Sequence, residues 1–157
     1  MASQNEKIKL KTYKTKNYSI KYPKSWYKYN WHGSINFSPK EIRKKDINPY
    51  NNHIYIIKLD RELSNSKTLE EIVEYTKGVI VSHTDKVNHV LKKYKTKNGI
   101  MYSLELASVY RNYNKTEIHH FYKIKGIAYD IIFSFDVNYY KQYLDEGMSI
   151  LNSIEFK

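Results

Sequence analysis

An antiparallel β-sheet with helices packed on its faces, an α+β domain, is the fold class this sequence predicts. Three observations carry the expectation. The first forty residues break into short runs with the period-two alternation of half-buried strands, joined by links too short for a parallel crossover. Residues 68–83 carry a capping signal and an apolar stripe at helical spacing. Four longer strand-like runs then follow between 86 and 135, and a second helical pattern leads to the end of the chain.

Taken in order, "KIKLKTYK" from Lys7 reads as a short first strand with Lys7, Lys9 and Lys11 outward and Ile8 and Leu10 inward. Tyr18, Ile20 and Tyr22 alternate with Ser19 and Lys21 in a second strand, which Pro23 ends because it has no N–H to give to a ladder. Trp26 opens the third strand, "WYKYN". The fourth, "SINFS", is entered through His32-Gly33 and closed by Pro39. Residues 39–52 hold two prolines and no sustained period, the pattern of an exposed excursion, and "HIYIIKLD" (53–60) is a further strand.

The first helix opens with Thr68 as N-cap and Glu71 three residues on. Its stripe is Leu69, Ile72, Val73, Thr76, Val79 and Ile80. Gly78 inside it costs about 1 kcal/mol relative to alanine, which a close approach of helix to sheet would offset. Strands are expected near 86–96, 100–110, 117–124 and 127–135. Lys125-Gly126 reads as a two-residue hairpin loop, placing Ile124 opposite Ile127, Tyr122 opposite Tyr129 and His120 opposite Ile131. Ile118, Tyr122, Tyr129, Ile131 and Phe133 then share one face, while Phe121 and Ile132 lie with His119, Lys123 and Asp130 on the other. Asn138 is the expected N-cap of the last helix, which puts Tyr140, Tyr143, Leu144, Gly147, Met148 and Leu151 on one side.

Composition bounds the function. At 157 residues the chain is the size of one domain, and its 17 tyrosines supply apolar bodies with polar tips. The absence of cysteine excludes disulfides, thiolate chemistry and Cys-based zinc sites. No apolar run reaches transmembrane length, and the opening residues have no apolar signal core. The net charge of +11 is uneven: residues 1–50 hold 12 basic and 3 acidic residues, against 15 and 13 in 51–157. The basic patch of Lys7, Lys9, Lys11, Lys14 and Lys16 is therefore either a solvated face or a surface for an anionic membrane or nucleic acid.

No phosphate-binding glycine loop, nucleophile elbow or two-histidine zinc helix is present, so no catalytic residue, cofactor or metal is assigned. His119 and His120 are adjacent on a strand and point to opposite faces. The densest polar grouping is Glu105, His119 and Asp130, expected on one face of neighbouring strands. It would suit a weak metal or proton-transfer site, or an ordinary ion-pair patch, which is the commoner origin of such clusters. Trp26 reads as core, whereas Trp31, with Lys24 and Lys28 beside it, is the ligand-contact candidate.

The pattern Tyr18-Ser19-Ile20-Lys21-Tyr22-Pro23, two residues and then Trp26 resembles the N-terminal signature of PsbP-like and DcrB-like domains. The capped helix, the long strands and a final helix running into Ser153-Ile154-Glu155-Phe156 follow that family's order. The resemblance implies an α/β/α sandwich, a fold shared with a yeast Ran-binding nuclear import factor. It divides the chain into a tether and first short strand (1–16) and a single PsbP-like domain (17–157). It also implies a non-enzymatic accessory or binding module, such as the soluble part of a bacterial envelope lipoprotein, or an adaptor or chaperone for a secreted protein. Another protein is the first expected partner, an anionic membrane surface the second and nucleic acid the third. A mature form would sit at the cell envelope or be secreted; otherwise the chain would be cytoplasmic.

Overall fold

Pro23 marks a corner between two sheets. The computed structural model describes residues 8–45 and 51–157. Strand β1 (Leu10–Lys14) pairs antiparallel with β2 (Tyr18–Pro23), and β2 pairs on its other side with β10 (Glu155–Phe156) near the end of the chain. After Pro23 the chain turns through Lys24-Ser25 and enters a second, seven-stranded sheet at β3 (Trp26–Trp31). The corner is held by the Lys24 N–H, which donates to the Lys9 carbonyl at 2.8 Å, and by the Lys40 N–H, which donates to Ser25 at 2.8 Å. A proline suits this place because it is the last residue of β2, opposite Leu10 where the ladder with β1 ends.

The larger sheet is antiparallel throughout. It comprises β3, β4 (Ser34–Pro39), β5 (His53–Lys58), β6 (Lys86–Thr96), β7 (Gly99–Tyr110), β8 (Tyr113–Ile124) and β9 (Ile127–Asp136), in the order β3-β4-β5-β9-β8-β7-β6. Helices α1 (Lys40–Lys44), α2 (Arg61–Ser66), α3 (Leu69–Ser82) and α4 (Val137–Asn152) complete the described elements. Between β5 and β6 the chain crosses the sheet through α2 and α3, so that β9 returns to lie beside β5. The result is the α+β, α/β/α arrangement expected, with the small sheet added beside α4.

Three hairpins are set by two-residue turns whose residues both have positive φ: His32-Gly33 (47° and 78°), Arg111-Asn112 (47° and 65°) and Lys125-Gly126 (50° and 78°). This backbone twist matches that of the flanking strands. The third turn gives the expected register, with Ile124 opposite Ile127, Tyr122 opposite Tyr129 and His120 opposite Ile131.

Two apolar layers flank the main sheet. On one face α4 and the small sheet enclose Ile20, Trp26, Phe37, Ile54, Ile131, Phe133, Phe135 and Leu151, all within 1% of complete burial. Trp26 lies 6.0 Å from the Phe135 ring and 6.1 Å from Tyr143 of α4, and its indole N–H donates to Glu146. On the opposite face α3 packs Val73 against Tyr102, Leu104, Leu106 and Phe121. The α3 capping box is complete: the Glu71 N–H donates to Thr68 Oγ1 at 3.2 Å, and the Thr68 N–H donates to Glu71 Oε1 at 3.0 Å.

Several expectations are corrected. In β1 the phase is inverted: Ile8 is 63% and Leu10 50% exposed, and Tyr13 is the inward residue, packed on Tyr18 and Phe37. One large ring reaching the core outweighs two aliphatic residues at a chain end. Of the excursion 39–52, residues 46–50 lie outside the described set, but Lys40–Lys44 form α1 and bury Ile42 to 1%. Helix α2, capped by Asp60 Oδ1 accepting the Leu63 N–H at 2.7 Å, has no counterpart in the sequence reading. The N-cap of α4 is Asp136, whose Oδ1 accepts the Asn138 N–H at 2.8 Å.

The two helical glycines exchange roles. Gly78 is exposed, and a Cβ there would meet no atom within 4 Å, so no close approach compensates it. Gly147 of α4 is buried, and a Cβ there would fall 2.2 Å from the Phe133 ring. That ring is fully buried and stacked on Phe135 at 4.3 Å, so it has nowhere to move. Gly78→Ala is therefore expected to raise stability by about 0.5–1 kcal/mol. Gly147→Ala should lower it by about 1–3 kcal/mol or more, as overpacking does. Chemical denaturation of the two variants beside the parent checks both signs.

Candidate functional site

Strand β8 exposes Glu117, His119 and Phe121 to the α3 side of the sheet and Ile118, His120 and Tyr122 to the α4 side, as alternation requires. Across the ladder, His119 lies opposite Ile132 of β9, and its ring reaches diagonally to Asp130, where Nδ1–H donates to Oδ2 at 2.9 Å. Its Nε2 stands 3.5 Å from Glu117 Oε2, two residues back on the same face, and Lys115 Nζ stands 3.6 Å from Glu117 Oε1. The His119 ring stacks on Phe121 at 5.6 Å with 12° between planes. The network Lys115–Glu117–His119–Asp130 thus runs along β8 and onto β9, with His119 and Asp130 each 3% exposed.

Burial alone would pull the His119 pKa down, but the Asp130 charge and hydrogen bond, supported by Glu117, push it up to about 10. Burial also raises the Asp130 carboxyl, an effect the His119 cation partly offsets. Burial likewise pushes Glu117 upward, yet His119 and Lys115 together hold it below the usual carboxylate range. Beside the network, burial raises the Tyr55 phenol, with the Glu117 and Asp130 charges adding to it. Burial, and then Lys115, lower His53 to about 4, and the Tyr29 hydroxyl lies 3.3 Å from its Nδ1. His120, on the other face, is lowered to about 4 by burial and then by the His119 charge.

Chemically, the raised pKa makes His119 a cation at neutral pH, hydrogen-bonded to Asp130 through Nδ1 and 3.5 Å from Glu117 at Nε2. Its proton is already present at neutral pH, so it is not a general base, and its burial keeps it from substrate. Among the described residues no group of three histidine, aspartate or glutamate side chains is arranged to hold a metal ion.

These shifts dictate a pH profile. His53 and His120 have folded pKa values below the ordinary 6.5, so their contribution is present above 6.5 and lost as pH falls through about 4. Glu117 reinforces that acid limb and Asp130 opposes it. His119 has a raised folded pKa, so its contribution is present below 6.5 and lost as pH rises through about 10. Folding stability should therefore peak near the ordinary histidine value of 6.5 and fall on either side by roughly 1 kcal/mol per pH unit for each proton exchanged. Urea titrations across the range check the peak. In His119→Gln the alkaline limb should flatten, and the acid limb should shrink in part because Asp130 and Glu117 lose their cation.

The candidates from the sequence are only partly united. His119 and Asp130 meet, but Glu105 lies opposite Ile118, on the other face of the sheet and exposed, so Glu117 takes the place expected of it. The signal for Glu117 was available, since residues two apart on a strand share a face. Trp31 is 40% exposed, with its ring 4.8 Å from His32 and 6.3 Å from His53. Lys28 points to the opposite face of β3, its Nζ 4.8 Å from the Tyr13 ring, and Lys24 sits at the corner, so the three do not form one contact surface. Of the basic patch, Lys7 lies outside the described residues; Lys9, Lys11, Lys14 and Lys16 are all exposed. Lys11 and Lys14 fall on opposite faces of β1. No described helix is long and apolar enough to cross a membrane.

The antiparallel main sheet, its flanking helices and the return of the last residues to the small sheet define a PsbP-like fold. The solution structure of the cyanobacterial PsbP protein CyanoP from Synechocystis sp. PCC 6803 superposes with a TM-score of 0.65 at 12% identity, over 100% of this chain and 98% of that one. A structure from Bacteroides thetaiotaomicron VPI-5482 matches at a TM-score of 0.46 and 10% identity, over 89% of this chain and 45% of that one. No protein-family profile matches the sequence, and no curated protein does.

Proposed function

We propose that the chain is a non-enzymatic accessory module that presents a surface to another protein, with the bacterial cell envelope, as the soluble part of a lipoprotein, as its setting. The observation that carries this reading is the closure of the Glu117–His119–Asp130 network. A general base must be deprotonated and within reach of its substrate, and His119 is neither, being protonated and 3% exposed. The PsbP-like fold supports the same reading, because the resemblance in the sequence implies accessory and binding roles. An adaptor or chaperone for a secreted protein is a variant of this role.

A second reading, a basic-surface binder of anionic lipid or nucleic acid, is favoured by the exposure of Lys9, Lys11, Lys14 and Lys16. Against it, Lys11 and Lys14 face opposite ways from β1, and a flat anionic surface meets one face at a time. The test is in-cell cross-linking of the tagged protein, with the same capture for His119→Gln and for a variant with these four lysines changed to Gln. One protein partner at near-stoichiometric yield in all three is the expected result. Salt-sensitive retention on anionic vesicles or on random nucleic acid, lost in the lysine variant and with no protein captured, would establish the second reading instead.

A further inference from the structure

Strand β6 ends the main sheet and is its longer edge, 11 residues against 6 in β3, and none of its residues is buried. One side of its backbone pairs with β7 from Lys86 opposite Val109 to Thr96 opposite Gly99. Among the described residues the other side has no strand, leaving a long row of N–H and C=O groups, which is a template for another strand.

We propose that the outer edge of β6 receives an extended acidic segment of a partner protein as an additional antiparallel or parallel strand. This rests on the accessory-module reading and names the partner's chemistry. The charge pattern selects the occupant. Lys86, Lys92, Lys93 and Lys95 are exposed, and β6 contains no acidic residue. A second copy of this chain would set lysine-bearing edges against each other, and like charges opposite one another on a sheet are unfavourable. The lysines thus prevent self-pairing while admitting a strand of opposite sign.

The placement of the lysines also separates a strand from a membrane. Lys92 lies opposite Ser103, whereas Lys93 lies opposite Tyr102, its Nζ 5.7 Å from that ring, so the two point to opposite faces of the sheet. Lys86 shares the face of Lys92, and Lys95 that of Lys93. A flat anionic surface would meet one pair. A strand lying in the plane of the sheet has side chains on both faces and meets both. Val90 and Tyr94, 50% and 45% exposed on the Lys92 face, supply apolar cross-strand neighbours between the charges.

The test uses the whole chain and two synthetic, end-blocked ten-residue peptides, one repeating Glu-Glu-Val-Tyr so that glutamate falls on both faces of the strand, the other with lysine in place of glutamate. Fluorescence anisotropy gives affinity and amide hydrogen exchange gives the location. Binding of the acidic peptide alone, with added protection at outward-facing β6 amides, is the expected result. The variant Lys92→Glu/Lys93→Glu/Lys95→Glu should weaken that binding by about tenfold or more and accept the lysine peptide. These side chains are exposed, and circular dichroism is to check that the variant folds. Equal binding of both peptides, no binding at low ionic strength, protection elsewhere than β6, or retention on phosphatidylglycerol vesicles without peptide binding would each overturn the proposal. A cross-linked partner that leaves β6 unprotected removes this inference and keeps the accessory-module reading; loss of the partner altogether removes the reading itself.

Discussion

Trp26→Ala is expected to destabilise the protein by about 3–5 kcal/mol, the range for truncating a large buried aromatic side chain. The indole is 0% exposed and lies where three elements meet: β3, which carries it, β9 through Phe135, and α4 through Tyr143 and the hydrogen bond to Glu146. Removing it opens a cavity that the flanking rings, themselves buried, cannot collapse to fill. It also strips half-buried Glu146, in the middle of α4, of a polar contact. Trp31→Ala is the matched control: at 40% exposure it should cost less than about 1 kcal/mol. Guanidinium titration of both variants reads the difference, and a Trp26→Ala loss below about 1 kcal/mol would contradict the packing described.

His119→Leu should cost a similar amount at neutral pH, about 3–5 kcal/mol, because it leaves Asp130 buried without its cation. Leucine fills much of the imidazole's volume, so the loss is electrostatic rather than steric. The cost has a pH signature. Asp130 already has a raised folded pKa, and without His119 it rises further, so the variant is penalised above the ordinary carboxylate value and relieved as acid protonates the group. The gap between parent and variant should therefore widen from acid to neutral pH. The double variant His119→Leu/Asp130→Asn removes the stranded charge and should recover part of the loss. Parallel denaturation curves at acid and neutral pH test this, and a gap that does not depend on pH would show that Asp130 is not charged in the folded parent.

Local signals were the legible part of this sequence. The Thr68/Glu71 capping box and the Lys125-Gly126 turn each lie within a few residues, and both fix what they were expected to fix. What failed depended on register or on partners far along the chain. The turn before β8 is Arg111-Asn112, two non-glycine residues in the left-handed region, which no composition rule marks as a hairpin. Without it β8 cannot be started at Tyr113, the β7–β8 register floats, and a slip of one residue moves Glu105 to the wrong face. The helical glycines were equally opaque, since only the position of Phe133 tells Gly147 from Gly78. The split into two sheets was hidden because β2 finds one of its partners, β10, more than a hundred residues later.

The crossover through α2 and α3 also bears on the order in which the molecule assembles. Strands β6 to β9 form a meander of adjacent hairpins, so each pairing closes only a short loop. Strand β5 reaches β9 only across that entire segment, and β2 reaches β10 across nearly the whole chain. Loop-closure entropy rises with loop length, and contacts between distant residues slow folding. The meander is thus the part of the sheet favoured to nucleate. Its lysine-bearing outer edge stands open while β5 is still searching for β9, the interval in which an unguarded strand is most exposed to misassembly with other chains.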